Sequence, residues 1–293
     1  MIKNDLIQLI SLSKKFGKTK ALDNVSFSIP ENSVLGLLGP NGSGKSTLMR
    51  IIAGLIRNWD GDLIFQKESI KENHNHFLGQ CGFLIENPTF YQNLTAHQNL
   101  SILSRISNCE SYKINEVLLD VDLIDAAHKK ISDFSYGMKQ RLGIAQAILH
   151  DPDILFLDEP NNGLDPLGIR EMNKTISNLH NKGKTIVIST HILHDVEELC
   201  SNIVILKEGR VLLNNSMDEL IEKSKTITIK TKNIELLHEY LKPEVRCKII
   251  KSHRDQITIQ TDLDVCSFSK LLPNDINIKS IIKEPDLSEF FKL

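Results

Sequence analysis

The sequence predicts an α/β protein built on a buried, largely parallel sheet and followed by a small C-terminal α+β domain. Up to about residue 220, short solid runs of aliphatic residues alternate with helical patterns, as in sheets covered by helices on both faces. A glycine-rich loop at residues 39–47 lies between one such run and a helical pattern. After about residue 225, two runs alternate polar and apolar residues, as half-buried strands do.

In chain order, strands are expected at residues 6–11, 25–29, 34–38, 154–157, 185–189 and 203–207. A helix should follow the glycine-rich loop, with one apolar face formed by Leu48, Ile51, Ile52 and Leu55. A second helix is expected at residues 136–149 and a third at 168–180. In the second helix, the side chains expected to face inward are those of Met138, Leu142, Ala145 and Ile148. Residues 87–150 carry no strand pattern and are predicted to be a helical subdomain inserted into the sheet domain.

The main domain is expected to span residues 1–222 and the accessory domain residues 223–293. Ser216 and Glu219 have the spacing of a capping box, which predicts a short helix closing the main domain. In the accessory domain, strands are expected at 226–230 and 256–261, and helices at 235–241 and 266–272. No motif in this domain indicates a chemical role.

Composition excludes several classes of function. The chain has 293 residues, of which 25% are charged, and a formal net charge of −2, so bulk charge does not favour nucleic-acid binding. No apolar run approaches the ~20 residues of a membrane-spanning helix, and no signal peptide is visible. The five cysteines are scattered without a CxxC pair, which predicts free thiols in a reducing cytoplasm.

The strongest motif is the loop of pattern GxxxxGK[ST] that follows the strand predicted at residues 34–38. It consists of Gly39, Pro40, Asn41, Gly42, Ser43, Gly44, Lys45, Ser46 and Thr47. Its glycines let backbone N–H groups surround a phosphate, and the following helix N-terminus adds a partial positive charge. Lys45 is expected to reach the β- and γ-phosphates, and the Ser46 hydroxyl to bind Mg²⁺. The motif predicts a P-loop nucleoside triphosphatase.

An acidic pair, Asp158 and Glu159, follows the buried run at residues 154–157. Open α/β sheets bind ligands at the carboxyl ends of their strands, so Asp158 is expected to hold Mg²⁺ through water. Glu159 is expected to polarise the attacking water as general base. The chain lacks the Asn/Thr-Lys-x-Asp motif of guanine readers, since residues 181–184 depart from it at the last position. ATP is therefore the expected nucleotide.

Three further segments carry a family resemblance. Residues 133–141, Asp-Phe-Ser-Tyr-Gly-Met-Lys-Gln-Arg, resemble the signature motif of ABC-transporter ATPase subunits. Asn162-Gly163-Leu164-Asp165 resembles the D-loop of that family, and His191 resembles its switch histidine. With the phosphate loop and the acidic pair, these motifs stand in the family's order between about residues 6 and 220. The chain is identified as a member of this family, which implies an ABC-type P-loop domain with a helical subdomain.

The resemblance also implies a mechanism, in which two ATP-binding subunits, expected to be a homodimer, close head-to-tail on two ATP molecules. The signature residues that would face the partner's ATP are Ser135, Tyr136, Gly137 and Met138. Asp165 would act in the D-loop, and His191 would contact the γ-phosphate and help to orient Glu159. Lys45, Glu159 and His191 are thus the expected catalytic residues, with a buried structural role as the alternative for His191. Phe16 matches the family's adenine-stacking aromatic, with core packing as its alternative.

Two departures from the family pattern are informative. Tyr136 replaces the usual glycine of the signature and Met138 its usual glutamine. Glu86 stands where most ABC ATPases have glutamine, and its carboxylate is expected to ligate Mg²⁺ beside Ser46 and Asp158. Residues 86–95 resemble the exporters that protect bacteria from bacitracin and lantibiotics, in which this glutamate marks lantibiotic immunity. The alternative for Glu86 is simple drift in a generic exporter subunit.

The resemblance therefore implies an ATP-hydrolysing subunit of a bacterial ABC exporter, peripheral at the inner face of the plasma membrane. It would drive a separate permease through residues 86–95, with a peptide antibiotic as cargo and no nucleic acid as partner. One alternative is an exporter subunit for sodium, lipid or polysaccharide. Another is a non-transport ABC ATPase acting on ribosomes or DNA, which the single phosphate loop and the lack of sustained heptads disfavour.

Overall fold

The computed structural model describes residues 5–107, 109–241, 247–272 and 276–285. Contacts between Cα atoms divide the chain into two compact units, with the division after Asn214. The domain boundary expected between residues 222 and 223 stays a prediction.

The first unit contains two sheets. Their strands are β1 (Asp5–Phe16), β2 (Thr19–Pro30), β3 (Val34–Leu38), β4 (Asp60–Phe65), β5 (Glu68–Ser69), β6 (Cys81–Leu84), β7 (Ile154–Asp158), β8 (Thr185–Thr190), β9 (Asn202–Lys207) and β10 (Arg210–Ser216). One sheet is antiparallel and has the order β2-β1-β4-β5. The other has the order β10-β9-β3-β8-β7-β6, and its strands from β9 to β6 pair in parallel.

Helices connect these strands. They are α1 (Lys45–Ile52), α2 (His74–Gly79), α3 (Ala96–Ile106), α4 (Lys113–Asp120), α5 (Tyr136–Ile148), α6 (Pro166–Asn181) and α7 (Leu193–Leu199). Every residue of β3 and β8 is buried, as the solid apolar runs in the sequence predicted. Side chains from both sheets and from α1 form one apolar core, which includes Leu9, Leu37 and Phe156. The predicted α/β fold class is confirmed.

The chain between β6 and β7 is helical. It contains α3, α4 and α5 together with two 3-10 turns, Ile124–Ala126 and Ile131–Asp133. A capping box starts α3, because the Thr95 hydroxyl accepts from the Gln98 N–H while the Gln98 side chain accepts from the Thr95 N–H. In the described part of this stretch, β character is limited to an isolated bridge between Thr95 and Lys130.

Two expectations about helix faces need correction. Leu55 does not belong to the buried face of α1, because the helix ends at Ile52 and the chain turns through Gly54, whose φ of +72° favours glycine. The Leu55 side chain is 67% exposed. In α5, Met138 is only half-buried, whereas Leu142, Ala145 and Ile148 are buried as expected.

The second unit contains α8 (Met217–Lys223), β11 (Thr226–Thr231), α9 (Ile234–Leu241), β12 (Cys247–His253), β13 (Gln256–Thr261), α10 (Val265–Leu271) and β14 (Ile278–Glu284). Its antiparallel sheet has the order β12-β13-β11-β14. The core of this unit packs Ile227 and Ile259 of the sheet against Leu237 and Phe268 of the helices. Ser216 caps α8 by accepting from the Glu219 N–H, as its sequence spacing predicted, but the described contacts of the Glu219 carboxylate are with Asn215 Nδ2, so the reciprocal bond of a capping box is not among them.

A buried arginine connects α4 and α5 of the inserted segment with α6. Arg141 of α5 donates to the backbone oxygens of Val121 and Asp122 after α4, at 3.1 Å each. Its guanidinium also lies 3.0 Å from the Glu171 carboxylate of α6. Since the side chain is 8% exposed, its loss would leave these acceptors without a donor in a poorly hydrated site.

We expect Arg141→Ala to lower the free energy of unfolding by about 2–4 kcal/mol, because several charge-assisted hydrogen bonds and the packing of the stem are lost together. Urea denaturation followed by circular dichroism measures the change. Arg105→Ala, at an exposed position in the last turn of α3, is the matched control and should cost little. Equal destabilisation by the two substitutions would contradict this role of Arg141.

Candidate active site

The predicted site residues converge because four neighbouring parallel strands end at the same edge of the sheet. In the order β3-β8-β7-β6, these strands lead into the phosphate loop, His191, the Asp158–Glu159 pair and Glu86. Parallel strands present their carboxyl ends on one side, so motifs far apart in the sequence come together there. A pocket of about 450 Å³ lies at this edge. Its lining residues are Ser46, Glu86, Asn87, Tyr136, Gln140, Asp158, Glu159 and Asn162.

The phosphate loop requires glycine at two positions. Gly44 has a φ of +108°, and a Cβ there would lie 2.7 Å from the Ala21 carbonyl oxygen. A Cβ on Gly39 would lie 2.2 Å from the Leu206 carbonyl oxygen. Any other residue would clash with backbone at both places. The loop therefore packs tightly against neighbouring strands while it leads into α1.

Lys45, the first residue of α1, folds back across the loop. Its Nζ donates to the backbone oxygens of Gly39 at 2.8 Å and Pro40 at 3.2 Å. Burial lowers the pKa of this ammonium, while the nearby Glu159 and Asp158 carboxylates oppose that shift. Ser43 Oγ is buried and finds no hydrogen-bond partner among the described residues. The loop thus holds a buried cation and an unused hydroxyl, which suits the binding of a phosphate.

Glu159 lies between a cation and an imidazole. Its Oε1 is 3.8 Å from Lys45 Nζ, and its Oε2 is 3.3 Å from His191 Nδ1. The backbone of Glu159 has a φ of +48°, an uncommon conformation for a residue other than glycine, and such conformations cluster at functional sites. The carboxylate is thereby held at the mouth of the phosphate loop, where a base acting on a water molecule would be needed.

Ser189 of β8 fixes the acidic pair, and sequence reasoning did not assign it a role. Its hydroxyl donates to the Asp158 carboxylate and accepts from the Glu159 N–H at 3.0 Å. The Glu159 N–H also donates to the Ser189 carbonyl oxygen at 3.1 Å. The signal available in the sequence was its place two residues before His191, at the end of a buried strand.

Glu86 pairs with Arg50 of α1, a contact that the sequence did not reveal. The Glu86 side chain is 63% exposed, and its backbone has a φ of +65°. The carboxylates of Glu86 and Asp158 and the hydroxyl of Ser46 line the same pocket. Carboxylate and hydroxyl oxygens are ligands that Mg²⁺ prefers, so the chemistry of this donor set fits the ion.

The signature segment forms a second pocket of about 430 Å³, lined by Ser135, Tyr136, Gly137 and Met138 together with Asp165 and its neighbours. Ser135 caps α5 by accepting from the Met138 N–H at 3.2 Å. Asp165 likewise caps α6 by accepting from the Gly168 N–H at 2.8 Å. Both side chains therefore stabilise the N-terminus of a helix. Of these predicted residues, only Tyr136 also lines the pocket that contains Glu159.

Phe16, at the end of β1, does not pack in the core. Its ring is half exposed, and Lys14 Nζ lies 5.0 Å from the ring centroid. Core packing was the alternative expected for this residue, and the exposure of the ring argues against it. An exposed aromatic ring can stack on a nucleobase.

Comparisons with known proteins identify the family of this chain. A family model described as "ABC transporter" matches residues 22–162. A lantibiotic transport ATP-binding protein of Streptococcus pyogenes, SrtF, is 39% identical over 213 residues, covering 73% of this chain and 92% of that protein. A bacitracin transport ATP-binding protein of Bacillus licheniformis, BcrA, is 40% identical over 222 residues, covering 75% and 72%. The similarity to YcbN, an ABC transporter ATP-binding protein of Bacillus subtilis, extends further, to 98% of this chain and 95% of that protein at 35% identity.

Among solved structures, CbiO1 of Clostridium perfringens, described as part of the ABC transporter complex CbiONQ, matches with a TM-score of 0.68. It is 26% identical and covers 75% of this chain and 92% of its own. The chain belongs to the family of ABC transporter ATP-binding proteins, and the predicted resemblance is confirmed. It is an ATP-binding and ATP-hydrolysing subunit, of a kind that works with membrane permease components. Among the described helices, none has both the length and the apolar character needed to cross a bilayer.

Proposed function

We propose that this subunit powers the export of a membrane-active peptide antibiotic, of the bacitracin or lantibiotic kind, by a separately encoded permease. ATP hydrolysis is supported most strongly by the position of the Glu159 carboxylate, which lies between Lys45 and His191 at the mouth of the phosphate loop. The proposed cargo is supported by relatives 39–40% identical that are named for lantibiotic and bacitracin transport. Glu86 also supports the proposed cargo, because glutamate in place of glutamine at this position marks the lantibiotic-immunity exporters that residues 86–95 resemble.

In the proposed reaction, Lys45 binds the β- and γ-phosphates of ATP. Glu159 takes a proton from the attacking water, and His191 holds the Glu159 carboxylate in place from the opposite side. Ser189 keeps the backbone of Glu159 in its unusual conformation through the two hydrogen bonds to the Glu159 N–H. Because Glu159 is held before ATP arrives, little reorganisation is needed at the moment of reaction.

Ser46, Asp158 and Glu86 would hold Mg²⁺ in the pocket that they line. The ion supplies charge neutralisation at the β- and γ-phosphates when it is bound. Asp158 is already oriented by Ser189, and Glu86 must exchange part of its pairing with Arg50 for this task. An exposed ion pair is worth only ~0–1 kcal/mol, so the exchange costs little.

The signature residues Ser135, Tyr136, Gly137 and Met138 would face ATP held by the partner in a homodimer. The start of α5, which Ser135 caps, provides backbone N–H groups suited to an anion. Asp165 would act beside them in the D-loop, and Phe16 would stack on adenine. ATP binding closes this dimer and hydrolysis reopens it.

We place the subunit at the inner face of the plasma membrane, with residues 86–95 against the permease. This stretch runs from the active-site pocket to the capping box of α3, so it can transmit movement between them. Tyr91, in its middle, exposes most of its aromatic ring. An exposed aromatic side chain on a connecting segment suits an interface.

The cargo is tested by replacing the chromosomal copy of the gene with the Glu159→Gln form and measuring antibiotic susceptibility of the host. The panel contains bacitracin, several lantibiotics and a non-peptide antibiotic. We expect increased susceptibility to at least one peptide and no change for the non-peptide compound. Unchanged susceptibility to every peptide, with ATP turnover abolished, would contradict the proposed cargo and favour sodium, lipid or polysaccharide.

Glu86→Gln is expected to leave ATP affinity within about a factor of three, because the substitution removes one exposed ion pair and keeps an oxygen ligand. Protection against the peptide should fall, since the segment proposed to face the permease loses the negative charge of Glu86. Titration with a fluorescent ATP analogue and growth inhibition measure the two effects. If protection is unchanged for every peptide, Glu86 is not the functional marker proposed here.

A further inference from the structure

We infer that Tyr136 acts within its own subunit as a positioning residue, holding the Glu86–Asn87 turn against the pocket that contains Asp158. The inference rests on the proposed ATP and Mg²⁺ site. It assigns a role to Tyr136, whose large side chain replaces the glycine that is usual at this position of the signature.

The contact is a closed set of three hydrogen bonds. The Tyr136 hydroxyl donates to Asn87 Oδ1 at 2.8 Å. Gln140, one turn further along α5, donates from Nε2 to the Tyr136 hydroxyl at 2.8 Å and to Asn87 Oδ1 at 3.3 Å. Gln140 is buried, so its amide is restricted in position, and the Asn87 side chain is bound on one side by two donors of the same helix face.

The Tyr136 ring is also placed between two loops. A Cβ on Gly163 would lie 3.3 Å from the ring of Tyr136, so the ring packs closely over the segment that leads to Asp165. The same side chain lines both the pocket of Glu159 and the pocket of the signature segment. A glycine at residue 136 could make none of these contacts. The side chain of Tyr136 is therefore directed at its own subunit's loops, and the proposed contact with the partner's ATP is left to the backbone of this residue.

The turn is held from its other side by Arg50, which pairs with Glu86. The bonds to Asn87 do not involve the Glu86 carboxylate, so they can hold the turn while Glu86 gives up part of its pairing with Arg50 to bind the ion. Groups that orient a metal ligand raise metal affinity because the ligand loses less freedom on binding. Without the Tyr136 hydroxyl, Asn87 Oδ1 keeps the longer bond to Gln140, and Glu86 becomes less well positioned.

The test compares Tyr136→Phe, Asn87→Ala and the double variant with the wild-type chain. Hydrogen–deuterium exchange of the peptide covering residues 84–92 is measured without nucleotide, and ATP turnover is measured against Mg²⁺ concentration. Each single variant should speed exchange in this peptide and raise the Mg²⁺ concentration for half-maximal turnover by about three- to tenfold. The double variant should be no worse than the more affected single variant, since both remove the same bond. Tyr112→Phe, at an exposed position before α4, is the control.

Unchanged exchange and unchanged Mg²⁺ dependence in Tyr136→Phe would overturn the inference. Additive effects in the double variant would also overturn it, because they would show that the Tyr136 hydroxyl acts on a group other than Asn87. If the wild-type chain hydrolyses no ATP at any Mg²⁺ concentration, the proposed function fails. The exchange measurement then still decides whether Tyr136 holds the turn.

Discussion

Glu159→Gln is expected to retain ATP binding and to lose roughly 10²- to 10⁴-fold in steady turnover, the usual contribution of a general base. The amide keeps the size of the carboxylate and can still lie between Lys45 and His191, so the phosphate loop is not disturbed. It cannot take a proton from water. Turnover is measured by phosphate release at saturating ATP and Mg²⁺, and binding by titration.

The same variant should accumulate as an ATP-bound dimer, because closure no longer leads to hydrolysis. Size-exclusion chromatography with and without ATP detects this dimer. Glu72→Gln, at an exposed position in the first unit, makes the same chemical change away from the site and should behave as wild type. Full turnover in Glu159→Gln would exclude Glu159 as the general base.

Lys45→Ala is expected to weaken ATP binding by about ten- to a hundredfold, since hydrogen bonds to a charged group are worth ~1.5–3 kcal/mol. Turnover should fall further, by roughly 10²- to 10³-fold, because the ammonium also stabilises charge that develops at the phosphates. The buried cation carries a desolvation cost, seen in its lowered pKa, so its removal is not expected to unfold the chain.

Calorimetric titration with a non-hydrolysable ATP analogue measures the binding loss. Lys174→Ala on α6, an exposed lysine outside the pocket, is the matched control. ATP affinity equal to wild type in Lys45→Ala would contradict the assignment of the loop as the phosphate site.

The strands that sequence patterns predicted well are those buried on both faces. The expected strand at residues 34–38 matches β3, because five consecutive buried apolar residues have no helical alternative between the flanking turns. By contrast, β6 was not predicted, since it has only four residues and includes Gly82. β12 and β14 were also missed, because adjacent isoleucines, Ile249-Ile250 and Ile281-Ile282, interrupt the polar–apolar alternation that marks a half-buried strand.

In the candidate site too, some features could be predicted from the sequence and others could not. The phosphate loop and the acidic pair are contiguous motifs beside strong strands, so the sequence located them directly. The pairing of Arg50 with Glu86 and the bond from Tyr136 to Asn87 join side chains that are distant in the sequence. Such contacts depend on the order of strands in the sheet, which the patterns in a single sequence do not reveal. Ser189 was missed for the same reason.

We propose that ATP turnover at Glu159 drives a separate membrane permease. This proposal is tested most directly by tagging the Glu159→Gln form in its native host, trapping it with ATP, and identifying the proteins that co-purify from detergent-solubilised membranes. We expect a polytopic membrane protein without an ATPase domain of its own, whose recovery depends on ATP and fails with Lys45→Ala. Recovery of ribosomal proteins or DNA, with no membrane protein, would contradict the claim.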